Sequence, residues 1–209
     1  MKMSGEDGTR ILDVGCGNNS VLKVRRYCKG KHGIFYSGLD VGDYNITESS
    51  KDNADEYVIV APEDFAEAIL RWEGKEDVVI CSHNLEHCNE PEEVLTNIVR
   101  ALKEGGKLYL SFPSEESVNF PKGFAGCLNY YDDLSHREMI IWSDVLETLK
   151  GCGMDIIFQS KNYRPILLRI IGFLLWPISK HRKQILPGVW EYFGFESVIW
   201  AVKAESSQE

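Results

Sequence analysis

Two clusters in the chain combine residue types whose spacing can support chemistry. In the first, the apolar run Ile11-Leu12 leads through Asp13-Val14 into Gly15-Cys16-Gly17. Glycines at such a place permit a tight turn and let a ligand approach backbone amides with no Cβ in the way. Asp40, 23 positions beyond Gly17, ends the next apolar run at Gly38-Leu39-Asp40. An acid there can accept hydrogen bonds from both hydroxyls of an adenosine ribose. In the second cluster, Asn129-Tyr130-Tyr131-Asp132-Asp133-Leu134-Ser135-His136 gathers two aromatics, two acids and an imidazole. His136 is the candidate proton acceptor, oriented by Asp132 or Asp133, with the tyrosines placed to stack on or hydrogen-bond a bound molecule. The plainer alternative is a loop clamped by its own aromatics, with Asp133 capping the next turn.

Two adenosine cofactors fit the first cluster, and the turn discriminates between them. A dinucleotide fingerprint calls for a third glycine where this chain has Ser20, so that a pyrophosphate can meet the helix N-terminus. S-adenosylmethionine (SAM) has no pyrophosphate and carries an ammonium group, which Asp13 can serve where a phosphate would be repelled. The expected cofactor is therefore SAM, with a nicotinamide dehydrogenase as the rival.

These residues need elements to hold them. Short β-rich runs alternating with helical patterns predict a parallel sheet covered by helices. Strands are expected at 10–14, 35–40, 56–60, 77–82 and 107–112, with helices at 20–27, 64–72 and 91–103. In the last helix Val94, Leu95, Ile98, Val99 and Leu102 recur at helical spacing, Pro91 suits the first turn, and Gly105-Gly106 marks the end. Beyond 113 the rhythm breaks into an irregular Pro/Gly/aromatic segment up to 136. A helix at 143–152 and strands at 154–161 and 197–203 follow. The excursion 162–195 holds the apolar stretch Ile166–Ile178, interrupted by Arg169 and shorter than the roughly 20 apolar residues a bilayer span needs.

The run Leu12-Asp13-Val14-Gly15-Cys16-Gly17 resembles motif I of class I SAM-dependent methyltransferases. Cys81-Ser82-His83-Asn84-Leu85-Glu86-His87 and the Gly105-Gly106 turn into Lys107-Leu108-Tyr109-Leu110 are similar to that family's later blocks, in the same order. The resemblance covers about 10–112 and implies an α/β, Rossmann-like sheet, mostly parallel with an antiparallel last strand and helices on both faces. It implies that Asp13, Gly15, Cys16 and Gly17 line the methionine and ribose, and that Asp40 and Val41 hold the ribose and adenine. It further implies that Ala61, Pro62 and Glu63 flank the adenine, and that Ser82 and Asn84 close over the methionine with His87 nearby. Where the family usually has a further glycine, this chain has Asn19, a residue tolerant of left-handed backbone. The stretch Tyr130–His136 resembles, more loosely, methyltransferases that accompany sugar and surface-polysaccharide assembly, which implies a sugar-like hydroxyl acceptor.

Bulk properties narrow the rest. With 209 residues, 44% hydrophobic and 26% charged, the expectation is one domain, 1–112 forming the SAM-binding half and 113–209 the acceptor and lid half, with 162–195 inserted. A net charge of −9 repels a nucleic-acid backbone, so a small-molecule acceptor is expected and no nucleic acid. The six cysteines form no Cys-x-x-Cys pair and read as structural thiols. The polar stretch Met1–Arg10 is unlike a signal peptide, which points to the cytoplasm. No metal is expected: His83 and His87 flank Glu86 in the wrong order for the zinc motif, although Asp132, Asp133 and His136 have the types to hold a cation on a sugar diol. No acid falls between Ile156 and Trp190, while Arg164, Arg169, Lys180, Arg182 and Lys183 do. Residues 164–183 thus suit an anionic membrane surface or lipid-linked substrate, against which a lid or homodimer contact is the preferred reading. A SAM-binding domain without catalysis is the alternative to an enzyme.

Overall fold

Five apolar runs pair side by side in the computed structural model, which describes residues 8–17, 20–28, 33–43 and 47–205. They are β1 (Arg10–Val14), β2 (Phe35–Asp40), β3 (Glu56–Ile59), β4 (Glu76–Ser82) and β5 (Leu102–Pro113), all parallel. With β6 (Met154–Ser160) and β7 (Glu196–Lys203) they make one seven-stranded sheet in the order β3-β2-β1-β4-β5-β7-β6. β7 is antiparallel to both neighbours. It lies between them because the chain leaves β6 on a long excursion and returns into the slot beside β5. The expected mostly parallel sheet with a reversed last strand is what forms.

Helices cover both faces. α1 (Ser20–Tyr27) buries Val21 and Val24 against Ile11, Tyr36 and Val78 on one side. On the other, α3 (Phe65–Ala68), α4 (Pro91–Ala101) and α5 (Trp142–Gly151) close the main core over Leu12, Val79, Leu108, Leu110 and Ile199. α4 ends two residues before the expected boundary, because Leu102 is fully buried and pairs with Glu76 as the first residue of β5. Gly105-Gly106 therefore lies inside a strand, at an irregular stretch where a Cβ on Gly106 would stand 2.8 Å from the Lys103 carbonyl oxygen. The helix expected at 64–72 divides into α3 and a 3-10 turn at Ile69–Trp72, which carries the buried Trp72 to a 3.2 Å hydrogen bond with Glu56. The short α2 (Glu48–Asn53), capped by Thr47 Oγ1 on the Ser50 amide, has no apolar period to announce it. In the excursion lie α6 (Ile166–Arg182) and α7 (Val189–Phe193). They join the 113–136 segment in a separate core of Phe124, Leu128 and Val189, with Trp176, Trp190 and Phe193 against it.

Candidate active site

In an open parallel sheet ligands bind beyond the strand C-termini where the strand order reverses. Here that point lies between β1 and β4. Gly15 follows β1 with φ +72, and a Cβ added to it would stand 2.1 Å from the Asn84 amide nitrogen. Glycine is thus required twice, for the left-handed backbone and for the close approach of the β4 loop. Gly17 also has a left-handed φ, +54. Its amide donates to Asp40 Oδ2 at 2.7 Å, and the Val41 amide donates to Asp40 Oδ1 at the same distance. The carboxylate of Asp40 so ties the β1 turn to the end of β2.

A cavity of about 490 Å³ opens at this point, within the range of small-molecule sites. Of the residues the sequence points to, Gly15, Asp40, Val41, Pro62, Glu63, Asn84 and His87 line it. These groups fit an adenosine-bearing cofactor: an acid where a ribose sits, a bare glycine turn, and Val41 and Pro62 for the base. Cys16, Gly17, Ala61 and Ser82 are not on its wall. The Cys16 thiol is buried and donates to Tyr57 Oη at 3.2 Å, with burial, Asp13 and Asp40 pushing its pKa up. Ser82 Oγ pairs with Ser111 Oγ at 2.9 Å between adjacent strands. Asn19 lies outside the described residues.

Asp13 is placed otherwise than expected. Its carboxylate is buried behind the turn, where Ser20 Oγ and, at 2.8 Å, Tyr36 Oη donate to it. Burial raises its pKa from the usual carboxylate range to about 6, against the lowering effect of those two hydroxyls. Ser20, at the third-glycine position of a dinucleotide fingerprint, is one of the two residues that hold Asp13.

The second cluster also departs from expectation. Asp132 does not orient His136: its carboxylate accepts the amides of Gly123, Asn129, Phe124 and Leu128, at 2.7 to 3.4 Å. Asn129 closes a capping box with it. Short polar side chains readily satisfy nearby amides in this way. Asp133 accepts from the Ser135 amide at 2.8 Å and Ser135 Oγ at 2.5 Å. His136 is oriented by a carbonyl, its Nδ1 lying 2.6 Å from Tyr130 O. The acid instead reaches His87, whose Nδ1 lies 3.1 Å from Ser135 Oγ. Since Asp133 can only accept, the Ser135 proton points to it, Ser135 Oγ accepts from His87 Nδ1–H, and Nε2 of a neutral His87 carries a lone pair. His87 and Ser135 both line the cavity.

Glu86, His83, Glu196 and Arg137 in this region were not among the expected site members. Glu86 is fully buried, and among the described residues neither carboxylate oxygen has a hydrogen bond. His83 Nδ1 stands 3.2 Å from Glu86 Oε1, at ion-pair distance but off hydrogen-bond alignment, while His83 Nε2 meets Glu196 Oε1 at 2.8 Å. Burial alone would lower the His83 pKa, yet Glu196 and Glu86 together outweigh it and bring it to about 9. Arg137, also on the wall, donates its amide to the Glu86 carbonyl at 2.8 Å. Glu86, His87 and His136 bring one potential ligand atom each within 4.8 Å of one another, a nitrogen-and-oxygen set that could hold a cation. The signal for Glu86 was its place between two histidines; no sequence pattern reveals Glu196, 113 positions from His83.

Comparison with known proteins agrees with this geometry. Residues 12–110 match the family model described as "Methyltransferase domain". The ubiquinone biosynthesis O-methyltransferase of Coxiella burnetii (strain Dugway 5J108-111) is 27% identical over 107 residues, covering 50% of this chain and 43% of that protein. Its namesake in Marinobacter nauticus is 26% identical over 172 residues, 76% of this chain and 69% of that one. The chain thus spans less than half the length of the first of these relatives. Among solved structures, the complex of the Haloferax volcanii Trm112 methyltransferase activator with a methyltransferase aligns with a TM-score of 0.67 at 17% identity, covering 100% of this chain and 87% of that one. The glycine turn and the acid ending β2 fall inside the span 12–110 that matches the methyltransferase-domain model, and the sheet with its reversed last strand has the fold of the solved methyltransferases; together they point to SAM as the cofactor.

Proposed function

We propose that the protein transfers a methyl group from SAM to the oxygen of a small molecule, and that the acceptor is a ring hydroxyl of phenol type. When bound, SAM supplies an electrophilic methyl on a sulfonium, and the in-line displacement asks the protein chiefly for alignment. Asp40 and the Gly15 turn hold the nucleoside, and His87 on the wall of the same cavity meets the acceptor. His87 Nε2, its lone pair presented by the Asp133–Ser135 relay, takes the hydroxyl proton as the C–O bond forms. This relay is the observation that carries the reading.

A phenol suits an imidazole base better than an aliphatic sugar alcohol, because its proton lies closer in acidity to the imidazolium. The relatives named for O-methylation on the way to ubiquinone support the same choice, and none of them supports the sugar-like acceptor. The test is methyl release from labelled SAM with phenolic, catecholic and sugar acceptors. Turnover is expected on phenols, and His87→Ala should reduce kcat by about 10²–10⁴-fold, the usual worth of a general base, with SAM affinity kept. SAM binding without methyl release to any acceptor would leave a binding domain and remove the catalytic reading.

A further inference from the structure

Helix α6 is apolar on the side facing the protein and on the side facing away. Ile166, Leu167, Ile170, Phe173, Leu174 and Ile178 are 45 to 79% exposed, and their spacing of three and four sets them on one stripe. The opposite stripe is pinned to the fold. A Cβ on Gly172 would stand 1.8 Å from the Gly188 carbonyl oxygen, and Trp176 packs on Phe124 and Phe193 at centroid distances of 5.5 and 4.8 Å. An exposed apolar patch of this kind marks a partner or membrane surface.

The surrounding charge selects between them. Helical steps of 100° place the exposed Arg169 and Lys180 along one margin of the stripe and Arg182 along the other. No acid occurs from Ile156 to Trp190 in a chain of net charge −9. A second copy docked two-fold on this face would set the basic margins of α6 against one another, and α6 itself carries no acid to answer them. A bilayer carrying anionic lipid answers both features. We propose that α6 seats the protein on such a surface, lying in the interface plane with its outer stripe among the acyl chains and its basic margins on the headgroups. Among the described residues no helix is long and apolar enough to cross the bilayer, so the helix rests on it.

Helix α7 links the docked helix to the cavity wall. Phe173 meets Tyr192 of α7 at 5.8 Å, and Trp190 of the same helix meets His83 on the cavity wall at 5.2 Å. The membrane would therefore hold the acceptor end of the cavity at a fixed orientation.

The test uses the whole chain and needs no acceptor, so it is independent of the methyl-transfer proposal. Flotation with vesicles of phosphatidylcholine, and of phosphatidylcholine with one third phosphatidylglycerol, should recover the protein mainly with the anionic vesicles and less at high salt. Arg169→Gln and Lys180→Gln should each weaken that binding about fivefold, the worth of one basic residue at an anionic surface. Ile170→Glu with Phe173→Glu should abolish it while SAM binding and thermal melting are retained. Should that pair unfold the protein, the two glutamine variants carry the test alone. Failure to float with anionic vesicles, or flotation unchanged by the glutamine variants, overturns the proposal. So does a dimer in sedimentation that Ile170→Glu disperses in a protein that ignores vesicles.

Discussion

The two ends of the cavity treat their buried acids differently. At the cofactor end Asp13 receives two hydroxyl donors and Asp40 two backbone amides. At the other end Glu86, equally buried, accepts no hydrogen bond among the described residues and has the off-axis His83 3.2 Å away. Satisfying a buried carboxylate makes it part of the scaffold, whereas an unsatisfied one costs stability that a fold retains only where something else meets it. The first end is built in advance; the second is held by an imidazolium caught between two acids, Glu86 and Glu196.

The sharpest way to break the picture of a prebuilt cofactor end is Gly15→Ala. A left-handed alanine costs about 1–2 kcal/mol, and the contact with Asn84 adds about 1–3 kcal/mol of overpacking. A turn that shifts to relieve this strain must be restored on binding, so titration calorimetry should show SAM affinity falling by roughly 30-fold to a few thousandfold. Because Asn84 Cβ itself would stand 2.6 Å from the new methyl, it is Asn84→Gly that should recover the packing part and leave the backbone part. Full recovery would mean that only the clash mattered.

Asp13 offers a pH test of the same end. Its folded pKa, about 6, lies above the unfolded value of 3.8, so the native state binds the extra proton between those values. Stability should therefore fall as pH rises through that window and level off above it, by at most roughly 3 kcal/mol. Asp13→Asn should flatten the slope in urea titrations and leave the apo protein more stable at pH 7.5. A slope that survives the substitution would assign it to another group.

His83 titrates in the same sense but in a higher pH window, and so separates the two ends. Raised to about 9 from 6.5, its contribution is complete below the unfolded value and is lost as pH rises through the folded one. Glu196→Gln removes the better aligned of its two acidic partners and should cost about 1.5–3 kcal/mol, the worth of a hydrogen bond to a charged group. It should also bring the alkaline loss to lower pH. The imidazole C–H shifts in NMR report this directly, and an unmoved midpoint would show that Glu86 alone sustains the cation.

The same contrast explains what could be read from the chain alone. β1, β2 and α1 form with the bounds expected, because apolar period and glycine punctuation act within a few residues. The ends of α4 and α3 differ, because Leu102 and Trp72 are drawn into the core by partners elsewhere, Glu76 and Glu56. At the site, Gly15 and Asp40 were legible as local turn chemistry. The direction of a carboxylate was not. Asp13, Asp132 and Asp133 each turned to the nearest donors, and those donors depend on how the loop closes. His83 and Glu196 meet only because β7 returns beside β5.

The smallest effect falls on the residue that the sequence favoured most. His136 has its Nδ1 fixed by the Tyr130 carbonyl, and its ring meets His87 at 4.8 Å and Tyr130 at 4.5 Å. It supports the base and does not line the cavity. His136→Ala should therefore reduce kcat less than about tenfold, within 1.4 kcal/mol, while His136→Asn restores most of the loss by keeping a donor for the carbonyl. A fall as deep as that of His87→Ala, unrelieved by asparagine, would return the proton to His136 and reduce the Asp133–Ser135 relay to a loop clamp. Adding a chelator to the wild-type assay separates a third case. Loss of turnover there would mean that Glu86, His87 and His136 act together on a cation, and the two imidazoles would then fail alike.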